Sequence, residues 1–177
     1  MESVAIGLLA LARCEGGLLP VQPTSVPLAS LIEDILQPCA AEARAKRLSI
    51  SVDVPAAVRW FTDRSALRSI LTNLLANAIS HSPAGAAIHL RIERHGDRDQ
   101  LLLTNGTDNL TAADLPHLFE RFWRKDPARA SSAHSGLGLA LTKAYAESLG
   151  LRLQAHLGVP SELTIELSGA ATADSRS

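Results

Sequence analysis

The sequence predicts an α+β fold, a two-layer α/β sandwich in which a mixed, mostly antiparallel sheet carries its helices on one face. Apolar residues recur at helical spacing in separate stretches, whereas the segments of alternating polarity come mostly in pairs joined by short turns, as hairpins do. No strand runs into a GxGxxG turn or a GxxxxGK(S/T) loop, so neither of the phosphate cradles usual in doubly wound sheets is present. With 177 residues and 46% hydrophobic content, the chain is long enough to bury one core and too apolar to stay disordered.

In chain order, Val4, Leu8, Leu9, Leu11 and Ala12 form a helical stripe that Glu15, Gly16 and Gly17 end. The segment reads as the tail of a longer helix whose apolar face contacts a neighbouring element. Residues 18–27 carry Pro20, Pro23 and Pro27 and read as a linker, since each proline fixes φ and lacks a donor. Leu28, Leu31, Ile32, Ile35 and Leu36 then set one face of a helix running past Pro38 to about Arg47, with Glu33 and Asp34 on the other face. Two short strands follow, around Leu48, Ile50 and Val52 and around Val58, Trp60 and Phe61. Asp63 is placed to cap a helix over 64–81, whose broad apolar face includes Leu67, Ile70, Leu71, Leu74, Leu75, Ala78 and Ile79. Strands 87–94 and 100–104 form a hairpin, Thr111 caps a short helix ending at Leu118, and 136–149 is helical with Gly150 as its stop. Strands 151–157 and 163–167 complete the domain, which spans 28–168, and the small and polar residues 169–177 read as a disordered tail.

Charge and cysteine content narrow the function. A formal net charge of -1 gives no general basic field, so no nucleic-acid partner is expected. Cys14 and Cys39 have neither metal-ligand spacing nor a disulfide pattern, which fits a reducing compartment. The apolar opening of the chain is too short to span a bilayer and lacks a basic leader.

Asn73 and Asn77 lie four residues apart and so share one face of the 64–81 helix. A buried amide left without a partner costs about 1–3 kcal/mol, so a pair in an apolar stripe needs neighbouring backbone or a ligand. A neutral amide oxygen suits Mg²⁺, which takes few protein ligands beside substrate phosphates. Further on, an aromatic and basic knot from Phe119 to Arg124 precedes a polar run that ends at Gly136 and Gly138, which open an apolar helix. These are the parts of a lid that closes over phosphates.

The stretch from Asn73 to Ser82 resembles the N box of sensor histidine kinases, Phe119 to Arg124 resembles their F box, and Ser135 to Leu141 their G2 box. Order and spacing are similar to those of the ATP-binding catalytic domain of that family, within the GHKL group of ATPases. The resemblance implies a Bergerat-type ATP-binding fold, with ATP and Mg²⁺ as ligands and protein histidine kinase activity. Asn77 would be the Mg²⁺ ligand, with Asn73 its phosphate-side neighbour; Gly136 and Gly138 would let backbone approach the phosphates. Phe119 and Phe122 would anchor the lid in the core, and Arg124, Lys125 and Arg129 would supply cations. Leu137, Leu139 and Leu141 fall within the G2 box and are also explained by packing.

Departures from the family pattern are specific. Where the family has DxGxG against the adenine, this chain has Asn105-Gly106-Thr107-Asp108-Asn109, and Asn105 could accept from the adenine amine while donating to a ring nitrogen. Thr107 is ill suited to any positive φ that a glycine held. Ser80 stands where many members have lysine, and His134 replaces a glycine before the G2 box. None of the six histidines is followed by an acidic residue, so the phosphoacceptor is expected on a separate dimerisation domain of which residues 1–17 are a remnant. The resemblance further implies a response regulator as partner, a homodimeric full-length protein, and a cytoplasmic domain of a membrane-anchored bacterial sensor. The lost DxGxG motivates an alternative, a degenerate module that docks proteins without using nucleotide.

Overall fold

The computed structural model describes residues 2–96, 98–125, 136–159 and 161–171. Its helices are α1 (Glu2–Glu15), α2 (Leu28–Ala45), α3 (Arg64–His81) and α4 (Gly138–Ser148), with a short 3-10 helix at Ala112–His117. Its strands are β1 (Pro23–Pro27), β2 (Ser49–Asp53), β3 (Arg59–Asp63), β4 (Ala87–His95), β5 (Arg98–Gly106), β6 (Arg152–Gly158) and β7 (Glu162–Ala171). Five strands form the main sheet in the order β2-β4-β5-β7-β6, and only the β2–β4 pair is parallel. The sandwich and its mixed, mostly antiparallel sheet are as the sequence predicts.

Alternation along the strands decides which face is covered. Ile88 and Leu90 on β4, Leu101 and Leu103 on β5, and Leu163, Ile165 and Leu167 on β7 are buried in one continuous core with α2 and α3. The register sets His89 beside Thr104, Thr104 beside Thr164, and Thr164 beside His156, a polar row on the other face. Helix α3 is the spine of the covered layer. Asp63 caps it by accepting from the Ser65 and Ala66 amides at 2.9 Å, and Leu67, Ile70, Leu71, Leu74, Leu75, Ala78 and Ile79 are buried along it.

Three readings of the sequence need correction. Half of the expected linker is a strand: β1 pairs antiparallel with β3 in a small second sheet, and Asp63 also accepts from the Gln22 amide at 2.9 Å. Pro23 and Pro27 fit because β1 has a partner on one side only, where a missing donor is tolerated. Residues 169–171 belong to β7, held by the pairing of Ala171 with Arg98, while 172–177 lie outside the described residues. On α1 the buried face is Gly7, Leu11 and Cys14, packed against α4, whereas Ile6 and Leu9 are 66% and 60% exposed.

Candidate functional site

Helix α3 ends in a fixed geometry. The Lys46 ammonium donates to the Ile79 carbonyl at 2.9 Å and the Ser80 carbonyl at 2.5 Å, placing a cation at the negative end of the helix dipole. The Ser80 hydroxyl donates to Glu42 at 3.2 Å, and the Ser82 hydroxyl to the Ala78 carbonyl at 2.6 Å. Asn73 and Asn77 lie at the half-buried edge of the apolar stripe, on the side that also carries Ala76 and Ser80. Among the described residues neither asparagine side chain has a hydrogen-bond partner. Two amides fixed on a well-anchored helix therefore keep bonding capacity that the described residues do not use.

The start of α4 lies beside Asn73. A Cβ built on Gly138 would lie 3.9 Å from the Asn73 Oδ1, in ordinary contact, so the missing side chain leaves open space between the amide and the helix start. Leu137 precedes the helix in αR geometry and no side chain caps it, which leaves the first amides of α4 without a capping acceptor. An uncapped helix N-terminus favours anions. Leu137 is buried beside Gly7 of α1, and Leu139 packs on the main core, which supports their reading as packing residues.

Gly136 meets a structural demand of its own. It sits at φ +71, and a Cβ there would fall 2.9 Å from Phe122 Cα and 3.2 Å from the Trp123 carbonyl. Its glycine is demanded by close packing against the aromatic stretch. Phe119 packs against the core as expected, but Phe122 is 54% exposed at φ +62, and Trp123 is the second aromatic that packs inward. The chain turns at Phe122 through its positive φ, and Trp123 takes the inward place expected of Phe122. Nearby, Arg121 pairs with Glu15 of α1.

Of the expected cations, Lys125 is held by Asp114 at 2.5 Å, and Arg124 is half-buried and already partnered. The Lys125 ammonium, with the Thr111 hydroxyl and amide, pulls the Asp114 carboxyl down to about 2. Arg129 and His134 lie outside the described residues. In place of the DxGxG run, Asn105 is 3% exposed at the end of β5. Its Nδ2 donates to the Gly106 carbonyl at 2.8 Å and to the Ser82 hydroxyl at 3.3 Å. With both amide hydrogens taken, the expected donation to a ring nitrogen is not open to it; acceptance is. Thr107 is not in a positive-φ conformation and donates its amide to the Ser161 carbonyl at 2.9 Å, so the glycine it replaces leaves no strain. Asp108 is exposed in the loop beyond.

Sequence reasoning passed over Lys46, Trp123 and the function of Ser82. A hydroxyl residue just past a helix end is a common back-bonder to the carbonyl four residues earlier, and that signal points to Ser82. Nothing local marks Lys46, whose contacts are made across the fold.

The α/β sandwich is the fold of solved histidine kinase structures. The histidine kinase AdeS of Acinetobacter baumannii superposes with a TM-score of 0.81 at 19% identity, covering 96% of this chain and 78% of that one. Full-length ShkA, solved in complex with AMPPNP, gives 0.83 at 19% identity over 97% of this chain and 36% of that one. The chain belongs to the family of histidine kinase-, DNA gyrase B- and HSP90-like ATPases, whose model matches residues 62–170. Among curated relatives, the sensor protein SphS of Synechococcus elongatus is 34% identical over 156 residues, and the sensor-like histidine kinase SenX3 of Mycobacterium bovis 28% identical over 163. These alignments take in 84% and 90% of this chain but 38% and 40% of the relatives, so the chain spans about two fifths of their length.

Proposed function

We propose that the chain is the catalytic and ATP-binding domain of a two-component sensor histidine kinase, which binds Mg·ATP and presents its γ-phosphoryl group to a histidine on a separate dimerisation domain. The observation that carries this reading is the pair of amides, Asn73 and Asn77, without a hydrogen-bond partner among the described residues, with Asn73 beside the uncapped start of α4. Family membership and the resemblance to the AMPPNP-bound ShkA structure support it.

The residues fit a divalent cation bound together with phosphates. Asn77 offers a neutral amide oxygen, Asn73 stands beside it toward Gly138, and the free amides at 138–140 offer donors to phosphate oxygens. Mg²⁺ held there neutralises phosphate charge. Arg124 and Lys125 stand on the stretch that leads toward the G2 box; Lys125 reaches a phosphate only by leaving Asp114. Arg129 is proposed as a further cation on the strength of the motif alone. In the transfer itself the acceptor imidazole nitrogen forms a bond to the γ-phosphorus as the bond to the bridging oxygen breaks, and ADP leaves. The imidazole is the nucleophile, so this domain need supply no general base; it contributes position and charge.

On this reading α1 is the end of the dimerisation helix, which accounts for the exposure of Ile6 and Leu9, and the phosphohistidine serves a response regulator. The parent protein is proposed to be a homodimeric, membrane-anchored bacterial sensor with this domain in the cytoplasm. Among the described residues no helix is long and apolar enough to cross a membrane. Calorimetric titration with AMPPNP and Mg²⁺ tests the proposal: saturable heat that is lost in Asn77→Ala is expected, and no heat at millimolar ligand overturns it.

A further inference from the structure

Asn105 occupies the position at which the family's acidic residue would meet the base, and its surroundings dictate how it can act there. The Ser82 hydroxyl hydrogen is committed to the Ala78 carbonyl at 2.6 Å, so Ser82 Oγ can only accept. What it accepts from is Asn105 Nδ2, at 3.3 Å, while the Gly106 carbonyl accepts from the same nitrogen at 2.8 Å. A carbonyl oxygen that close cannot face another oxygen, so the amide is locked with its nitrogen toward Gly106. Ser82 and Asn105 are 4% and 3% exposed, so water does not compete freely for these bonds. Among the described residues no donor reaches Asn105 Oδ1.

We propose that Ser82 is a positioning residue that makes Asn105 an acceptor-only group, a neutral stand-in for a carboxylate, and that the site thereby selects a purine bearing an exocyclic 6-amino group. This rests on the reading of the cleft as a nucleoside triphosphate site. With both amide hydrogens occupied, Oδ1 accepts from a 6-amino group and opposes a 6-oxo group, whose oxygen is also an acceptor. Were the hydrogen held by Ser82 released, Asn105 could donate as well as accept, and a 6-oxo purine would be admitted.

The test is calorimetric titration of the whole chain with Mg·ATP and with Mg·ITP, which differ at the 6-position. The wild-type chain is expected to prefer ATP by roughly tenfold or more, Ser82→Thr to keep that preference, and Ser82→Ala to lose most of it while still binding triphosphate. An unchanged ATP-to-ITP ratio in Ser82→Ala overturns the inference, as does equal binding of the two by the wild-type chain. Binding of neither nucleotide overturns the site reading as well, which separates the two failures. Should Ser82→Ala fail to fold, hydrogen exchange of the wild-type Asn105 side-chain amide decides the matter. Both protons are expected to exchange slowly, and exchange at the rate of an exposed asparagine overturns the assignment.

Discussion

The Phe122 amide donates to the Gly136 carbonyl at 3.0 Å, with Phe122 at φ +62 and Gly136 at φ +71. This bond ties the end of the aromatic stretch to the residue that leads into α4. The two described ends of the stretch read as a lid are thus tied together by backbone, next to the start of α4. Gly136 and Gly138, which look alike in the motif, therefore answer to different demands.

Gly136→Ala is expected to destabilise the fold. Its Cβ would fall 2.9 Å from Phe122 Cα, a backbone atom that cannot yield cheaply, and the left-handed conformation adds about 1–2 kcal/mol for a residue with a Cβ. Gly138→Ala meets only ordinary contacts and is expected to leave stability within about 0.5 kcal/mol while weakening nucleotide binding. Urea unfolding of both variants, paired with AMPPNP titration, separates the two roles; equal stability losses would refute the distinction.

The helices and the hairpin pairs were legible in the sequence because their signals are local. Leu67 through Ile79 carry the 3.6-residue period, Asp63 is a strong cap, and Thr111 with Asp114 completes a capping box. β1 was not legible, because its partner β3 lies more than thirty residues on and Pro23 and Pro27 argue locally against a strand. At the site, Asn73 and Asn77 could be picked out by spacing, but their place at the edge of the stripe depends on how α3 packs. The task of Asn105 depends on Ser82, a residue from another element, and only the folded chain brings them together. Phe122 misled because a positive φ has no sequence mark in a bulky residue.

Asp63 links the cap of α3 to the segment before β1, and its titration should be visible in stability. Burial, the largest influence, pushes its carboxyl up, but the Ser65 hydroxyl and the Ala66, Gln22 and Ser65 amides together hold it below the ordinary 3.8. A folded pKa below the unfolded one adds stability that is fully present above 3.8 and is lost as pH falls through the lower folded value. Asp63→Ala is expected to cost about 0.5–2 kcal/mol at neutral pH. Chemical denaturation of both proteins down the acid range checks this; the gap should shrink below pH 4, and a gap independent of pH would show that the carboxylate charge is not what stabilises the junction.

Asp114 offers a second titration with a defined partner. Its carboxyl is held at about 2 chiefly by Lys125, so it stays ionised throughout the range in which the protein would work. In Lys125→Ala the carboxyl is expected to rise toward 3.8, as read by carbon NMR of the side chain, with the Thr111 contacts retaining part of the depression. On saturation with Mg·AMPPNP the wild-type carboxyl should also rise if Lys125 transfers to phosphate. No change on saturation would assign Lys125 to the 3-10 helix alone.

Helix α1 meets α4 at a point where a single side chain can wedge them apart. A Cβ on Gly7 would lie 3.3 Å from Leu137 Cδ1, the far end of a side chain that can shift by a few tenths of an ångström, so Gly7→Ala should be accommodated. Gly7→Leu has no such space and must lift α1 away from Leu137 and Leu141. Cys14, buried on the same face two turns further along, reports the change. Burial pushes its thiol above 9.0, against an opposing bond with Ser148 and with a small addition from Glu15. Low exposure and low thiolate content both slow its reaction with a disulfide reagent. In Gly7→Leu the rate at Cys14, measured with Cys39→Ser in the background, is expected to rise roughly tenfold or more as both restraints relax, with Gly7→Ala near wild type. A rate unchanged in Gly7→Leu would mean that the Leu11 contact with α4 and the pairing of Glu15 with Arg121 hold α1 in place without need of the close approach at Gly7.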